Sequence, residues 1–138
     1  LMEVTARGGR LAVLLDRDGN VTEGPGFNVF VVKGGRLMTA DTGVLHGITR
    51  RTVIELARRS NMEVVVAPLP VSDLRSADEV FATSTAGGVM PVTSLDWKAI
   101  GDRAPCLVSM RLREAYWQAH ADPRFSTPVD YALAREAA

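Results

Sequence analysis

The run Asn28-Val29-Phe30-Val31-Val32-Lys33, closed by Gly34-Gly35, constrains this chain more than any other segment. Four consecutive β-branched or aromatic residues with no polar alternation predict a strand covered on both faces. The glycine pair then turns the chain back into residues 36–39, which predicts a hairpin.

The rest of the chain alternates short strands with few helices. Residues 2–6 read as the tail of a helix stopped by Gly8-Gly9, and residues 11–15 as a short apolar strand. Asp18-Gly19 within residues 16–20 is a strong hairpin-turn signal, so Val21-Thr22 begins a return strand that runs into Gly24-Pro25-Gly26. The spacing predicts a helix over 49–60, with Thr49, Val53, Leu56 and Ala57 on one face and Thr49 as N-cap or first-turn residue. Residues 62–67 and 79–83 read as strands, and 72–77 as a short helix capped by Ser72. A last helix is expected over 106–120, with Leu107, Met110, Glu114 and Trp117 defining one side and the pair Tyr116-Trp117 in the core. Pro123 and Pro128 end regular structure. This pattern predicts an α/β (α+β-like) fold with a mixed, partly closed sheet and few flanking helices.

Composition narrows the function classes. Sixteen Lys and Arg balance sixteen Asp and Glu, so no charge excess favours nucleic acid or an anionic membrane. No apolar run approaches the ~18 residues needed to span a bilayer. A lone cysteine, Cys106, excludes an internal disulfide and suits a reducing, cytoplasmic setting. The 138 residues suffice for one domain with a real core. The chain opens on Leu1 without an apolar leader, which reads as a piece of a longer protein.

Three small-residue segments carry the chemistry. In Leu45-His46-Gly47-Ile48-Thr49-Arg50, a glycine precedes a helix start, where N–H groups are unpaired and the dipole is positive. Ile48 and Thr49 can there offer N–H groups, and Thr49 a hydroxyl, to an anion. Arg50 and Arg51 stand in that first turn against the dipole, which a bound anion or a nearby carboxylate would relieve. Ser84-Thr85-Ala86-Gly87-Gly88 follows a strand end, and its glycines allow N–H groups to converge on an anion. Glu23, before Gly24-Pro25-Gly26-Phe27-Asn28, places a carboxylate where it could face a pyridine nitrogen. Taken singly, these are also the marks of a plain helix start, a loop and an exposed turn glutamate. No His or Cys cluster suggests a metal.

In that order and spacing, V-T-E-G-P-G-F-N-V-F-V-V-K, L-H-G-I-T-R and A-D-E-V-F-A-T-S-T-A-G-G-V-M-P-V resemble the class IV (fold type IV) pyridoxal phosphate enzymes. That family includes branched-chain and D-amino acid aminotransferases and aminodeoxychorismate lyase. The combination G-P-G-F-N with T-A-G-G-V-M-P-V is most similar to the (R)-selective amine transaminases. The resemblance implies the cofactor-binding C-terminal domain of a homodimeric enzyme that passes an amino group between an amine and a keto acid. It implies that Glu23 is the catalytic carboxylate at the pyridine nitrogen, that Leu45 packs on one ring face, and that the Phe27-Asn28 backbone lies near the other. It places Gly47, Ile48, Thr49, Ser84 and Thr85 around the phosphate, and Thr85, Ala86 and Gly87 against substrate. It also implies a Schiff-base lysine upstream of Leu1, since neither Lys33 nor Lys98 matches, and hence a piece inactive on its own. Asp96-Trp97 stands where relatives often have Asp-Gly. A non-catalytic module that binds a phosphorylated ligand is the reading from another class.

Overall fold

The computed structural model describes residues 8–101 and 106–129. The expected helix over 2–6 lies outside them. The framework is a mixed sheet built on β3 (Phe27–Lys33), which is buried on both faces as its composition predicts. β3 pairs antiparallel with β2 (Glu23–Gly24) near its start, with β4 (Arg36–Thr39) after the Gly34-Gly35 turn, and with β7 (Glu79–Ser84) along its other edge. β7 continues into an antiparallel β8 (Gly88–Val92), and β4 pairs in parallel with β5 (Val64–Val66). The edges are therefore β5 and β8. Two ribbons stand beside this sheet, β1 (Asn20–Val21) with β6 (Leu69–Pro70) and β9 (Ser94–Leu95) with β10 (Lys98–Ala99).

Side-chain alternation along β3 separates two cores. Phe30 and Val32 face α1 (Ile48–Arg59) and α3 (Leu107–Ala119), packing with Val53, Ile54, Ala57, Phe81, Val89 and Leu112. Val29 and Val31 face the opposite side, where Val21, Leu69 and Leu74 of the short α2 (Val71–Arg75) pack. Helix α1 ends in a Schellman arrangement. Asn61 takes φ 57°, its N–H donates to Arg58 O, and Met62 N–H donates to Ala57 O.

The structure corrects several local expectations. Residues 11–15 do not form a regular strand: Leu14 exchanges bonds with Thr22 and Glu23, and Leu15 makes one isolated bridge to Val21. Ser72 does not cap α2. Pro70 precedes that helix, and the Ser72 carbonyl accepts from Ser76 instead. In α3 the face carrying Leu107, Met110 and Trp117 is exposed at 72%, 45% and 47%, while Ser109, Leu112 and Ala119 are buried. The reason is a distant carboxylate. Glu79 of β7 accepts from Val108 N–H, Ser109 N–H and the Ser109 hydroxyl at 2.9, 2.8 and 2.7 Å, which turns the Ser109 side of the helix onto the sheet. Asp96 and Trp97 form the two-residue turn between β9 and β10 with φ 46° and 68°, a left-handed conformation that suits Asp-Gly better than Asp-Trp. Among the described residues no helix is long and apolar enough to cross a membrane.

Candidate functional site

The site grows from a row of residues in register across β2, β3 and β7. Glu23 lies opposite Asn28, and Asn28 opposite Thr83, so all three side chains leave the same face of the sheet. Asn28 is buried, and its amide donates to Leu45 O at 2.8 Å and to Glu23 Oε2 at 3.2 Å. The Leu45 N–H donates to the same Glu23 Oε2 at 2.7 Å. Both bonds therefore use one carboxylate oxygen, and among the described residues no hydrogen bond reaches Oε1. The Thr83 hydroxyl, in line with Asn28, is buried and has no hydrogen-bond partner among the described residues.

These bonds staple the loop between β4 and α1 to the sheet and set the start of α1. Gly47, the residue before the helix, has φ −57° and ψ 149°, a backbone any residue adopts. What requires glycine there is proximity. A Cβ at Gly47 would lie 2.9 Å from Asn28 Oδ1. Gly47→Ala is therefore expected to push the Asn28 amide off Glu23 and Leu45, weakening ligand binding at this site about tenfold, since two hydrogen bonds of roughly 0.5–1.5 kcal/mol each are disturbed. Equilibrium titration of the variant checks this, and wild-type affinity would show that Asn28 has room to move.

The N-terminus of α1 is left open. Among the described residues no side chain caps it, and no acidic residue stands in its first turn. Leu45 and Ile48 are each 73% exposed, so the helix mouth faces solvent. Thr49 is not the N-cap. It sits in the first turn, 4% exposed, with its hydroxyl 3.3 Å from the Tyr116 hydroxyl of α3. Arg50 is not aimed at an anion. It is buried, donates from Nη2 to Ala40 O at 2.7 Å, and is held beside Asp41. Burial lowers its pKa and the nearby Asp41 opposes that only in part, while among the described residues Arg50 Nε and Asp41 Oδ1 find no hydrogen-bond partner.

The turn after β7 closes the other side. The Ser84 hydroxyl accepts from Gly87 N–H at 3.0 Å, which leaves its own proton to donate but removes the Gly87 N–H from any anion nest. Thr85 and Ala86, at the tip, are exposed. Only Gly88 of the glycine pair has positive φ, at 61°. At Gly87 a Cβ would lie 2.3 Å from Met90 Sδ, so a larger residue there would have to displace the flexible Met90 side chain.

The three segments thus meet through one chain of contacts, from Glu23 through Asn28 to Gly47, Thr49, Tyr116 and Gly88. The Phe27 ring is not on this face: it turns to the opposite side with Val29 and Val31 and lies against Gly24. Tyr116 escaped the sequence reading, which placed it with Trp117 in the core. Its spacing from Thr49, 67 residues, offers no local signal. His46 stands at the rim, with Nε2 3.3 Å from Asp41 O. Lys33 donates to Asp73 and Ser76 at 2.7 and 2.9 Å, at the far end of β3 from Asn28, about 17 Å away by strand rise. Lys98 lies exposed in β10. Cys106 is half-buried, and burial and the Glu79 carboxylate raise its thiol pKa.

The chain matches the amino-transferase class IV family over residues 1–95 and belongs to it. It is 35% identical over 132 residues to the branched-chain-amino-acid aminotransferase of Pseudomonas aeruginosa, covering 90% of this chain and 43% of that protein. It is 43% identical over 94 residues to the D-alanine aminotransferase of Bacillus licheniformis, covering 67% of this chain and 33% of that protein. Its structure resembles that of the branched-chain amino acid aminotransferase from Thermobaculum terrenum in its PLP holo-form, with TM-score 0.83 and 34% identity over 90% of this chain and 42% of the other. The chain therefore spans well under half the length of each of these proteins.

Proposed function

We propose that this chain is the C-terminal, cofactor-binding portion of a pyridoxal 5'-phosphate-dependent aminotransferase, and that the complete protein transfers an amino group between an amino acid and a keto acid. The observation that carries the reading is the Glu23 carboxylate, stapled through Oε2 and with Oε1 unengaged, beside an uncapped helix N-terminus. The residues present fit the cofactor. A carboxylate suits a pyridine nitrogen, the uncapped N–H groups of Ile48 and Thr49 suit a phosphate, and the orphaned Thr83 hydroxyl marks a polar floor that the protein leaves unsatisfied. When bound, pyridoxal phosphate supplies the electron sink for the reaction.

The chain's own residues then divide the work. Glu23 is the catalytic carboxylate and holds the ring nitrogen in its protonated state. Leu45, with Asn28 and the Phe27 backbone, bounds the ring. Gly47, Ile48, Thr49, Ser84 and Thr85 hold the phosphate, and Thr85, Ala86 and Gly87 border the substrate. The covalent lysine comes from elsewhere in the complete protein, so residues 1–138 alone do not turn over.

Among substrates, the similar proteins support a branched-chain amino acid first and D-alanine second. An (R)-amine, favoured by Gly87-Gly88 beside Phe27, loses that support because the Phe27 ring lies on the other face. A cytoplasmic homodimer completes the reading, and the exposed Leu107, Met110 and Trp117 favour a packed neighbour on α3. Assay of the complete protein with leucine, D-alanine and (R)-1-phenylethylamine against a keto acid tests the proposal. Leucine is expected to be the best donor, and no transfer from any of the three would overturn it. Thr49→Ala is expected to weaken cofactor binding by about 1 kcal/mol or more, through loss of a charge-assisted hydrogen bond. Unchanged cofactor retention on dialysis would remove Thr49 from the phosphate site.

A further inference from the structure

The two segments assigned to the phosphate arise from different parts of the fold, and one side chain joins them. Tyr116 of α3 reaches Thr49 with its hydroxyl at 3.3 Å. Its ring meets the turn after β7 so closely that a Cβ at Gly88 would lie 3.0 Å from Cδ1 and Cε1. The ring is held in turn by edge contacts to Trp117 and His120, with centroids 5.4 and 5.0 Å away. The helix that carries it is fixed to β7 at its start by Glu79. Tyr116 therefore sits on a rigid element with few rotamers open to it.

Either oxygen of the Tyr116–Thr49 pair could be the donor. An anion at the mouth of α1 removes that freedom. The Thr49 hydroxyl has one proton, and if it donates to a phosphate oxygen, the Tyr116 hydroxyl must donate to Thr49 Oγ1. Consecutive hydrogen bonds of this sense polarise one another, so the Thr49 proton becomes a stronger donor. We propose that Tyr116 is a positioning residue of the phosphate site, orienting the Thr49 hydroxyl toward the anion while its ring sets the Gly88 turn opposite. This rests on the pyridoxal phosphate reading above. It adds a residue that touches neither ring nor substrate and acts through Thr49.

The test uses the complete protein in its apo form, titrated with pyridoxamine 5'-phosphate and, separately, with pyridoxamine, which lacks the phosphate. Tyr116→Phe keeps the ring and its contact with Gly88 and removes only the hydroxyl. It is expected to weaken pyridoxamine 5'-phosphate binding about fivefold, the worth of one hydrogen bond, and to leave pyridoxamine binding unchanged. Combined with Thr49→Ala it should add little further loss, because both changes break the same relay. Tyr116→Phe binding pyridoxamine 5'-phosphate as tightly as wild type, with Thr49→Ala still weakened, would overturn the role of Tyr116 alone. Equal weakening of both ligands would also overturn it, since that is the mark of a packing defect. If Thr49→Ala itself left pyridoxamine 5'-phosphate affinity unchanged, the phosphate assignment would fall together with the relay.

Discussion

Replacing Glu23 with glutamine is expected to lower turnover of the complete enzyme by at least about 100-fold, equivalent to ~2.7 kcal/mol of transition-state stabilisation, with little effect on folding. The hydrogen bonds make this a clean substitution. Leu45 N–H and the Asn28 amide both donate to Oε2, which the glutamine carbonyl can replace without loss. The amide NH2 then falls at the position of Oε1, where the proposed ring nitrogen would meet a donor in place of an acceptor. A protonated ring loses its counter-charge there, and with it the electron sink on which the reaction depends. Glu23→Ala would be a poorer probe, because it also orphans the Leu45 N–H and the Asn28 amide. Steady-state kinetics at saturating cofactor, with a thermal melt as control, decide the matter. Near-wild-type turnover in Glu23→Gln would show that the carboxylate does not face the ring.

The largest expected loss of stability lies beneath the site. Phe30 and Phe81 stand opposite each other across β3 and β7, both fully buried, with rings stacked at 4.9 Å and 8°. Phe81→Ala should cost about 3–5 kcal/mol, from lost burial and the cavity left under Val53 and Ala57. Against a typical domain stability of roughly 5–15 kcal/mol, that is a large fraction. Phe81→Leu fills most of the space and should cost much less. Because Asn28 and Thr83 pair two residues further along the same ladder, Phe81→Ala should also loosen the site. Urea unfolding of both variants measures the difference, and a Phe81→Ala cost below about 1 kcal/mol would mean that the core closes over the gap.

The contrast between β3 and α3 shows where local pattern suffices. Phe27–Lys33 carries its burial in its own composition, and Gly34-Gly35 marks its end, so strand and hairpin are legible without any partner. Helix α1 is likewise legible within a residue at either end, although Ile54 and Arg50 replace Leu56 on its buried side. Helix α3 is legible in extent but not in orientation. Its apolar stripe lies outward, because Glu79, some 30 residues upstream, binds Val108 and Ser109 and turns the opposite face inward. Residues 11–15 are apolar and still form no ladder, with Leu11, Leu14 and Leu15 each about half exposed. Periodicity reports which residues avoid water and cannot report which surface covers them. The same limit hid Tyr116, whose partners Thr49 and Gly88 are brought to it only by the folded sheet.

The loop from β4 to α1 is tied down at its end and exposed before it. Leu45 is clamped on both its N–H and its carbonyl, while Thr42 and Gly43 lie exposed. Gly43 holds φ 67°, and a Cβ there would lie 2.8 Å from Thr22 Cγ2, so this exposed stretch is itself fitted to the chain leading into β2. Variation in this loop is therefore expected to fall on the exposed side chain of Thr42 rather than on the loop's length, with the Leu45 clamp holding the start of α1 in place.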